Sequence, residues 1–136
     1  MKGAIKLLTI VIFANALQSC DGIHPKPKDF IGSWKSDDGA IIELEKDSSF
    51  IAKQVNLSNI FFDKDNRNIK IDFEGRWEFT TDYKKKKIIK INSNKYSFSF
   101  EISGQGILER KPPWDLYIWI GDPDDMNKYE FKKVKK

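Results

Sequence analysis

The chain has 136 residues, of which 40% are hydrophobic, 32% are charged and 13% are aromatic. This balance predicts one globular domain with a packed core and excludes a disordered chain. The formal charge of +4 is the small surplus of 24 Lys and Arg over 20 Asp and Glu. The single histidine and the single cysteine exclude a zinc site built from His and Cys and a disulfide within the chain.

Residues 1–19 have the pattern of a secretory signal peptide. Lys2 and Lys6 supply the positive start, the stretch from Leu7 to Leu17 is nearly all apolar, and the small Ser19 stands before the expected cut. The apolar stretch is too short to cross a hydrocarbon core, which needs about twenty residues. The pattern therefore predicts a cleaved leader rather than an uncleaved membrane anchor.

The lone cysteine follows this leader directly. Leu17-Gln18-Ser19-Cys20 resembles the lipobox of bacterial lipoproteins. The resemblance implies a diacylglyceryl group on the Cys20 sulfur, cleavage just before it, and attachment to the lipid bilayer of the cell envelope, with the membrane and face left open. The alternative for Cys20 is a free thiol or one half of an intermolecular disulfide.

Residues 20–29 are predicted to tether the folded domain, residues 30–136, to the membrane. The segment is polar and contains Pro25 and Pro27, so it has little apolar surface to bury and favours extended chain.

From residue 30 onward, short strand patterns alternate with turn residues. The pattern of Tyr96, Phe98, Phe100 and Ile102 alternating with polar residues has the period of a strand with one buried face. Gly75 within a strand predicts a bulge or a close backbone approach. A short helical turn is predicted near residues 60–62, and strands are predicted at 40–46, 50–57, 69–73 running into 75–79, 87–91, 96–102, 107–111, 116–120 and 129–134.

These roughly eight strands with short connections predict an all-β fold, an antiparallel up-and-down meander. Closure into a small barrel would protect the edges of such a sheet. Gly32 and Trp34 precede the predicted strands and form Gly-x-Trp, so residues 29–136 resemble a small lipocalin. In that family the tryptophan packs across one end of the barrel.

The barrel hypothesis predicts an interior lined by large apolar side chains. A hollow interior would favour a small apolar ligand, and a filled interior would favour a protein partner. The predicted lining residues are Trp34, Trp77, Phe79, Phe98, Phe100, Ile118 and Phe131.

The chemistry available to the domain argues against an enzyme, a cofactor or a metal site. His24 lies in the predicted tether, so no histidine base stands near a serine nucleophile in the domain. Residues 63–68 faintly match a calcium loop, but Arg67 and Asn68 occupy positions that should hold a ligand and a glycine. The group Asp122, Asp124 and Asp125 is typical of a turn.

Two surface features could contact a partner. Lys84, Lys85, Lys86 and Lys87 form a positive turn, and a second lysine cluster ends the chain. Such runs bind anionic headgroups or an acidic protein, or they simply solvate a turn. Trp114, beside two prolines, is either an exposed anchor or a cap on the core.

Together these features predict a membrane-anchored lipoprotein with a non-catalytic, lipocalin-like domain that binds a small apolar ligand or a protein. The alternative is a periplasmic inhibitor or an immunity protein against a toxin. A hydrolase is a third and weaker hypothesis. Nucleic acid is excluded as a partner because the protein is predicted to be exported.

Overall fold

The computed structural model describes residues 23–61, 69–106 and 111–135. In these ranges, eight antiparallel strands follow one another in chain order and close into a barrel. This confirms the predicted all-β meander. The strands are β1 Gly32–Ser36, β2 Ile41–Leu44, β3 Ser49–Asn56, β4 Lys70–Thr81, β5 Lys87–Ser93, β6 Ser97–Ile102, β7 Leu116–Trp119 and β8 Lys128–Lys133, with one α-helix, α1 Leu57–Phe61, and 3-10 helices at Pro27–Phe30 and Pro123–Asp125.

The barrel closes where the first strand meets the last. In the β1–β8 pair, Trp34 lies opposite Lys133 and Ser36 lies opposite Phe131. Both strands thereby have a neighbour on each side, so the closed sheet leaves neither of them as an open edge that could pair with another chain.

The eight strands are not the same eight that the sequence predicts. Gly32–Ser36 is itself β1, whereas Gly32 and Trp34 were predicted to lie ahead of the first strand. In β1 only Trp34 and Ser36 are buried, and Ser36 is polar. The hydrophobic alternation of this strand is therefore too short to predict it with any strength. The strand predicted at 107–111 lies outside the described residues except for Lys111.

The described part of the predicted tether is folded against the barrel. Pro27–Phe30 forms a 3-10 helix, the Lys26 backbone N–H donates to Asp29 Oδ2 over 2.8 Å, and Pro25 is buried. The hydrogen bond and the burial of Pro25 stabilise this segment. They offset the conformational entropy that the chain loses when it folds instead of staying extended. The described residues of the predicted tether are therefore folded rather than extended.

Gly75 allows β4 and β5 to approach closely, as predicted. A Cβ built on Gly75 would lie 2.1 Å from the Asn92 carbonyl oxygen. The bulge lies elsewhere, in β3, where the register with β4 shifts between Ala52 and Val55 and Gln54 has a φ of 57°. Gly75 thus allows the close contact between β4 and β5, and the separate bulge bends β3.

Gly75→Ala is expected to lower the free energy of unfolding by about 3 kcal/mol or more, because the backbone of β5 would have to move. Gly39→Ala is the comparison variant, since a Cβ there meets nothing within 4 Å and only the φ of 93° is unfavourable. Its cost should be about 1–2 kcal/mol. Urea unfolding measures both, and equal costs would contradict the steric account.

Connections alternate between the two ends of the barrel because consecutive strands run in opposite directions. We call the end where the chain enters β1 the proximal end. It holds residues 23–31, the turns 45–48 and 82–86, the described parts of the β6–β7 loop, and residues 134–135. The distal end holds α1 and the turns 37–40, 94–96 and 120–127.

Among residues 23–61, 69–106 and 111–135, no helix has the length and apolar character needed to cross a bilayer.

Candidate binding surfaces

All seven side chains predicted to line the interior belong to one hydrophobic core. Trp34, Trp77, Phe100 and Phe131 are buried within it. The remaining three are partly buried and pack against it: Phe79, Phe98 and Ile118. The structure therefore places all seven in or against the core, and a role in lining a ligand cavity stays a prediction.

The two buried tryptophans satisfy their indole N–H groups with backbone carbonyls. Trp34 Nε1 donates to the Phe30 carbonyl over 2.9 Å, and Trp77 Nε1 donates to the Glu45 carbonyl over 2.8 Å. The Trp34 ring also stacks on Phe30, with ring centres 5.9 Å apart. A buried indole N–H needs one hydrogen-bond acceptor. Both tryptophans find theirs within the protein, so neither needs a ligand to satisfy its N–H.

Aromatic side chains fill the interior by contact with one another. Phe98 packs edge-on against Phe100 at 5.5 Å, Phe100 against Phe131 at 5.3 Å, and Phe131 lies 4.9 Å from Tyr129. Phe100 and Phe131 are wholly inaccessible to solvent. Eight strands enclose a space that side chains can just fill, and this succession of rings occupies it.

Trp114 caps the core at the proximal end. Only 8% of its surface is exposed, and its ring lies over Gly104, where an added Cβ would come within 3.0 Å of a ring carbon. One edge of the ring lines a hollow of about 270 Å³ shared with Lys85, Lys86 and Lys87. The structure thus brings Trp114 and the lysine turn together, with the ring packed inward.

A second and larger hollow, of about 1350 Å³, opens on the other side of Trp114. Its walls come from the segment before β1, from residues 112–115 and from the C-terminal residues 132–135. We call these two spaces the proximal hollows. Trp34 and Trp114, which belong to the buried core, also line the larger hollow.

An aromatic pair faces outward from β7. Tyr117 and Trp119 are two residues apart and therefore on the same face of the strand, with ring centres 5.5 Å apart. Lys128 of β8 places its Nζ 4.4 Å from the centre of the Tyr117 ring and 4.9 Å from that of Trp119. We call these three residues the wall patch.

From the sequence, Trp114 is a possible partner anchor with Tyr117 and Trp119 nearby, but Lys128 is not predicted to join them. The alternation of Leu116 and Ile118 with Tyr117 and Trp119 could have placed the two aromatic rings on the outer face. The contribution of Lys128 depends on the β7–β8 register, which pairs it with Trp119.

Tyr117 also contacts a carboxylate on the neighbouring strand. Glu101 lies opposite Tyr117 in the β6–β7 pair, and its Oε2 atom is buried without a hydrogen-bond partner. Burial, assisted by the negative charge of Glu101, raises the pKa of Tyr117 to about 12. Tyr117 therefore keeps its proton at neutral pH, and its hydroxyl stays uncharged.

Tyr129 joins strands and a turn at the distal end. Its hydroxyl donates to the Asp38 carboxylate, 3.0 Å away at Oδ2, and accepts from the Asn56 backbone N–H at 3.2 Å. Burial is the main cause that raises the pKa of Tyr129 to about 12, and the Asp38 charge adds to it. The neutral hydroxyl thus connects β8 with β3 and the β1–β2 turn.

This shift predicts that the barrel loses stability as pH rises from 10 to 12. Tyrosines of the unfolded chain release protons near pH 10, whereas Tyr129 holds its proton until about 12, so alkali favours unfolding. The contribution is at most about 1.4 kcal/mol per pH unit. Urea midpoints measured across this range should fall less steeply for Tyr129→Phe, and identical slopes would contradict the assignment.

The acidic residues of the β7–β8 connection form a turn, as predicted. Asp122 Oδ1 accepts from the Asp124 backbone N–H over 3.0 Å at the start of Pro123–Asp125. Within the described ranges, no three His, Cys, Asp or Glu side chains converge where a metal ion could bind. The possible calcium loop at 63–68 lies outside those ranges.

Comparisons with protein-family models, with curated proteins and with solved structures found no match for this chain. The barrel is compatible with the lipocalin-like architecture that Gly32 and Trp34 suggested. Function must be inferred from the surfaces of the barrel itself.

Proposed function

We propose that this protein is a cell-envelope lipoprotein, held to a bilayer by a diacylglyceryl group on Cys20, whose barrel is a non-catalytic binding domain for a protein partner. Support for the anchor comes from the Leu17-to-Cys20 sequence after a short apolar leader. Support for a non-catalytic role comes from the position of the only histidine, which precedes the barrel at residue 24.

The filled interior is the observation that carries the choice of a protein partner. A ligand-carrying barrel needs an internal cavity, and the contacts of Phe98, Phe100 and Phe131 occupy that space here. A small apolar ligand inside the barrel would have to displace core side chains, which costs packing energy. Binding at the outer surface carries no such cost.

The wall patch is the part of that surface best suited to a protein partner. Tyr and Trp are enriched at the energetic centres of interfaces because they bury large areas with few rotatable bonds. Tyr117 and Trp119 are partly exposed, lie against the Lys128 ammonium, and are mounted on a strand rather than a loop. Such a surface is organised before the partner arrives.

An inhibitor or an immunity protein is the alternative within this proposal, and the rigid mounting of the wall patch favours it. Tight inhibition of a secreted toxin or enzyme needs a preorganised surface that loses little entropy on binding. A toxin-like reading frame beside the gene would support this alternative.

Combining Trp119→Ala with Lys128→Ala is expected to weaken partner capture by about 30-fold or more, the usual effect of removing an interface hot spot. Tagged full-length protein would be expressed in its own cells, and co-purified polypeptides would be quantified by mass spectrometry. Tyr83→Ala is the matched control, because Tyr83 is 90% exposed on a different turn. A partner lost equally from both variants would contradict the wall patch as its site.

A further inference from the structure

Positive charge is concentrated at the proximal end of the barrel. Among the described residues that line the two proximal hollows, the acidic ones are Asp29 and Asp115, and the turns at the same end add Glu45, Asp47 and Asp82. The basic side chains that line the hollows, which we call the proximal lysines, are Lys26, Lys28, Lys85, Lys86, Lys87, Lys132, Lys133 and Lys135. Two lysine clusters that are far apart in sequence thus meet at one end of the fold.

The rest of the chain carries the opposite balance. Of the 24 basic and 20 acidic residues, setting aside these eight lysines together with Asp29 and Asp115 leaves 16 basic and 18 acidic. The distal turns 37–40, 94–96 and 120–127 carry one lysine, Lys95, among five aspartates: Asp37, Asp38, Asp122, Asp124 and Asp125. The barrel is therefore electrically polarised along its axis.

Exposed apolar side chains accompany the proximal lysines. Ile23 is 56% exposed and Val134 is 45% exposed, and both line the larger hollow. Surfaces that bind the headgroup region of a bilayer have this composition, in which lysines surround isolated apolar side chains. The distal end also exposes apolar side chains, Phe61, Ile69 and Met126, but its described turns carry aspartates rather than a lysine cluster.

The position of the lipidation residue fixes which end faces the membrane. Cys20 precedes Ile23 by three residues, and three residues span at most about 11 Å even when fully extended. Because Ile23 lines both proximal hollows, a lipid on Cys20 would hold them about one Debye length from the headgroups. That spacing leaves no room for a protein between this end and the bilayer.

We infer that the proximal lysines dock the barrel directly onto an anionic lipid surface, with Ile23 and Val134 entering the headgroup region and the acidic distal end pointing away. This inference rests on the proposed lipidation of Cys20, and it is independent of the protein partner. Docking would orient the wall patch along the side of a barrel that stands on the membrane.

Energy transfer from the barrel to the membrane tests the orientation. Lipidated protein from its own cells would carry one dye, at Tyr83→Cys in the proximal turn or at Met126→Cys in the distal turn, where the native residues are 90% and 72% exposed. Each would be placed in phosphatidylcholine vesicles with or without about 30% phosphatidylglycerol and an acceptor on a headgroup.

Phosphatidylglycerol should increase transfer from position 83 and not from position 126. Raising salt from about 0.1 M to about 1 M should abolish the increase, since the Debye length falls from about 10 Å to about 3 Å. Lys86→Glu with Lys135→Glu should abolish it too. The control, Lys53→Glu with Lys95→Glu, makes the same change in net charge away from the proximal hollows and should retain it.

Docking would be overturned if phosphatidylglycerol left energy transfer unchanged at both positions. It would also be overturned if the control variant lost the increase in transfer as fully as Lys86→Glu with Lys135→Glu. An acidic protein that co-purifies and is lost with Lys86→Glu and Lys135→Glu would instead assign this end to a protein. Mass spectrometry separates failure of lipidation from failure of docking. If the chain carries no lipid, flotation with phosphatidylglycerol vesicles but not with phosphatidylcholine vesicles supports docking, and flotation with neither overturns it.

Discussion

Cys20→Ala is expected to remove the protein from the membrane fraction almost completely. The sulfur of Cys20 is the proposed attachment point of two acyl chains, and each buried CH₂ contributes about 0.8 kcal/mol of membrane affinity. Two chains give stable anchoring, whereas the proximal lysines alone give reversible, salt-sensitive binding. Cells grown with labelled palmitate would show label on the wild-type protein and none on the variant.

Ser19→Ala is the matched control for this experiment. Alanine is also small, so it preserves the residue type expected before the cut and should leave cleavage and lipidation unchanged. Wild-type protein without palmitate label, or with residues 1–19 still attached, would contradict the lipoprotein assignment. A Cys20→Ala protein that stays in the membrane after a high-salt wash would show that some other feature anchors the chain.

Trp34→Ala is expected to lower the free energy of unfolding by about 3–5 kcal/mol, a large fraction of a typical domain's total stability. Trp34 is 1% exposed, stacks on Phe30 and donates its indole N–H to the Phe30 carbonyl. Truncation therefore removes buried area, opens a cavity and leaves a carbonyl without its partner. Urea unfolding followed by circular dichroism measures the change.

Trp119→Ala provides the comparison, because the same side chain is removed from the outer wall instead of the core. The expected cost there is about 1 kcal/mol or less, the usual range for a surface substitution. If both variants lost the same stability, burial in the core would not account for the contribution of Trp34. Trp34→Phe should fall between them, since it keeps part of the buried ring and loses the hydrogen bond.

The periodic elements of this fold could be predicted from the sequence because their side chains obey a simple alternation. In β6, Phe98, Phe100 and Ile102 all face the core, as their spacing requires. Gly75 within a strand correctly indicated close backbone contact, since no side chain fits against Asn92. Local patterns of this kind depend only on neighbouring residues.

Features that depend on distant parts of the chain could not be predicted in the same way. The filled interior results from packing between β6 and β8, where Phe100 meets Phe131. The proximal hollows bring Lys85 and Lys135 to one end only because the strands alternate in direction. The fold of residues 26–30 depends on a backbone hydrogen bond to Asp29, which composition does not show.

Native mass spectrometry of the protein released gently from its own cells tests the central claim most directly. The proposal predicts a chain that begins at Cys20, carries a diacylglyceryl group, and retains a polypeptide but no small apolar molecule. A small apolar molecule held by the barrel, or an unmodified Cys20, would contradict it.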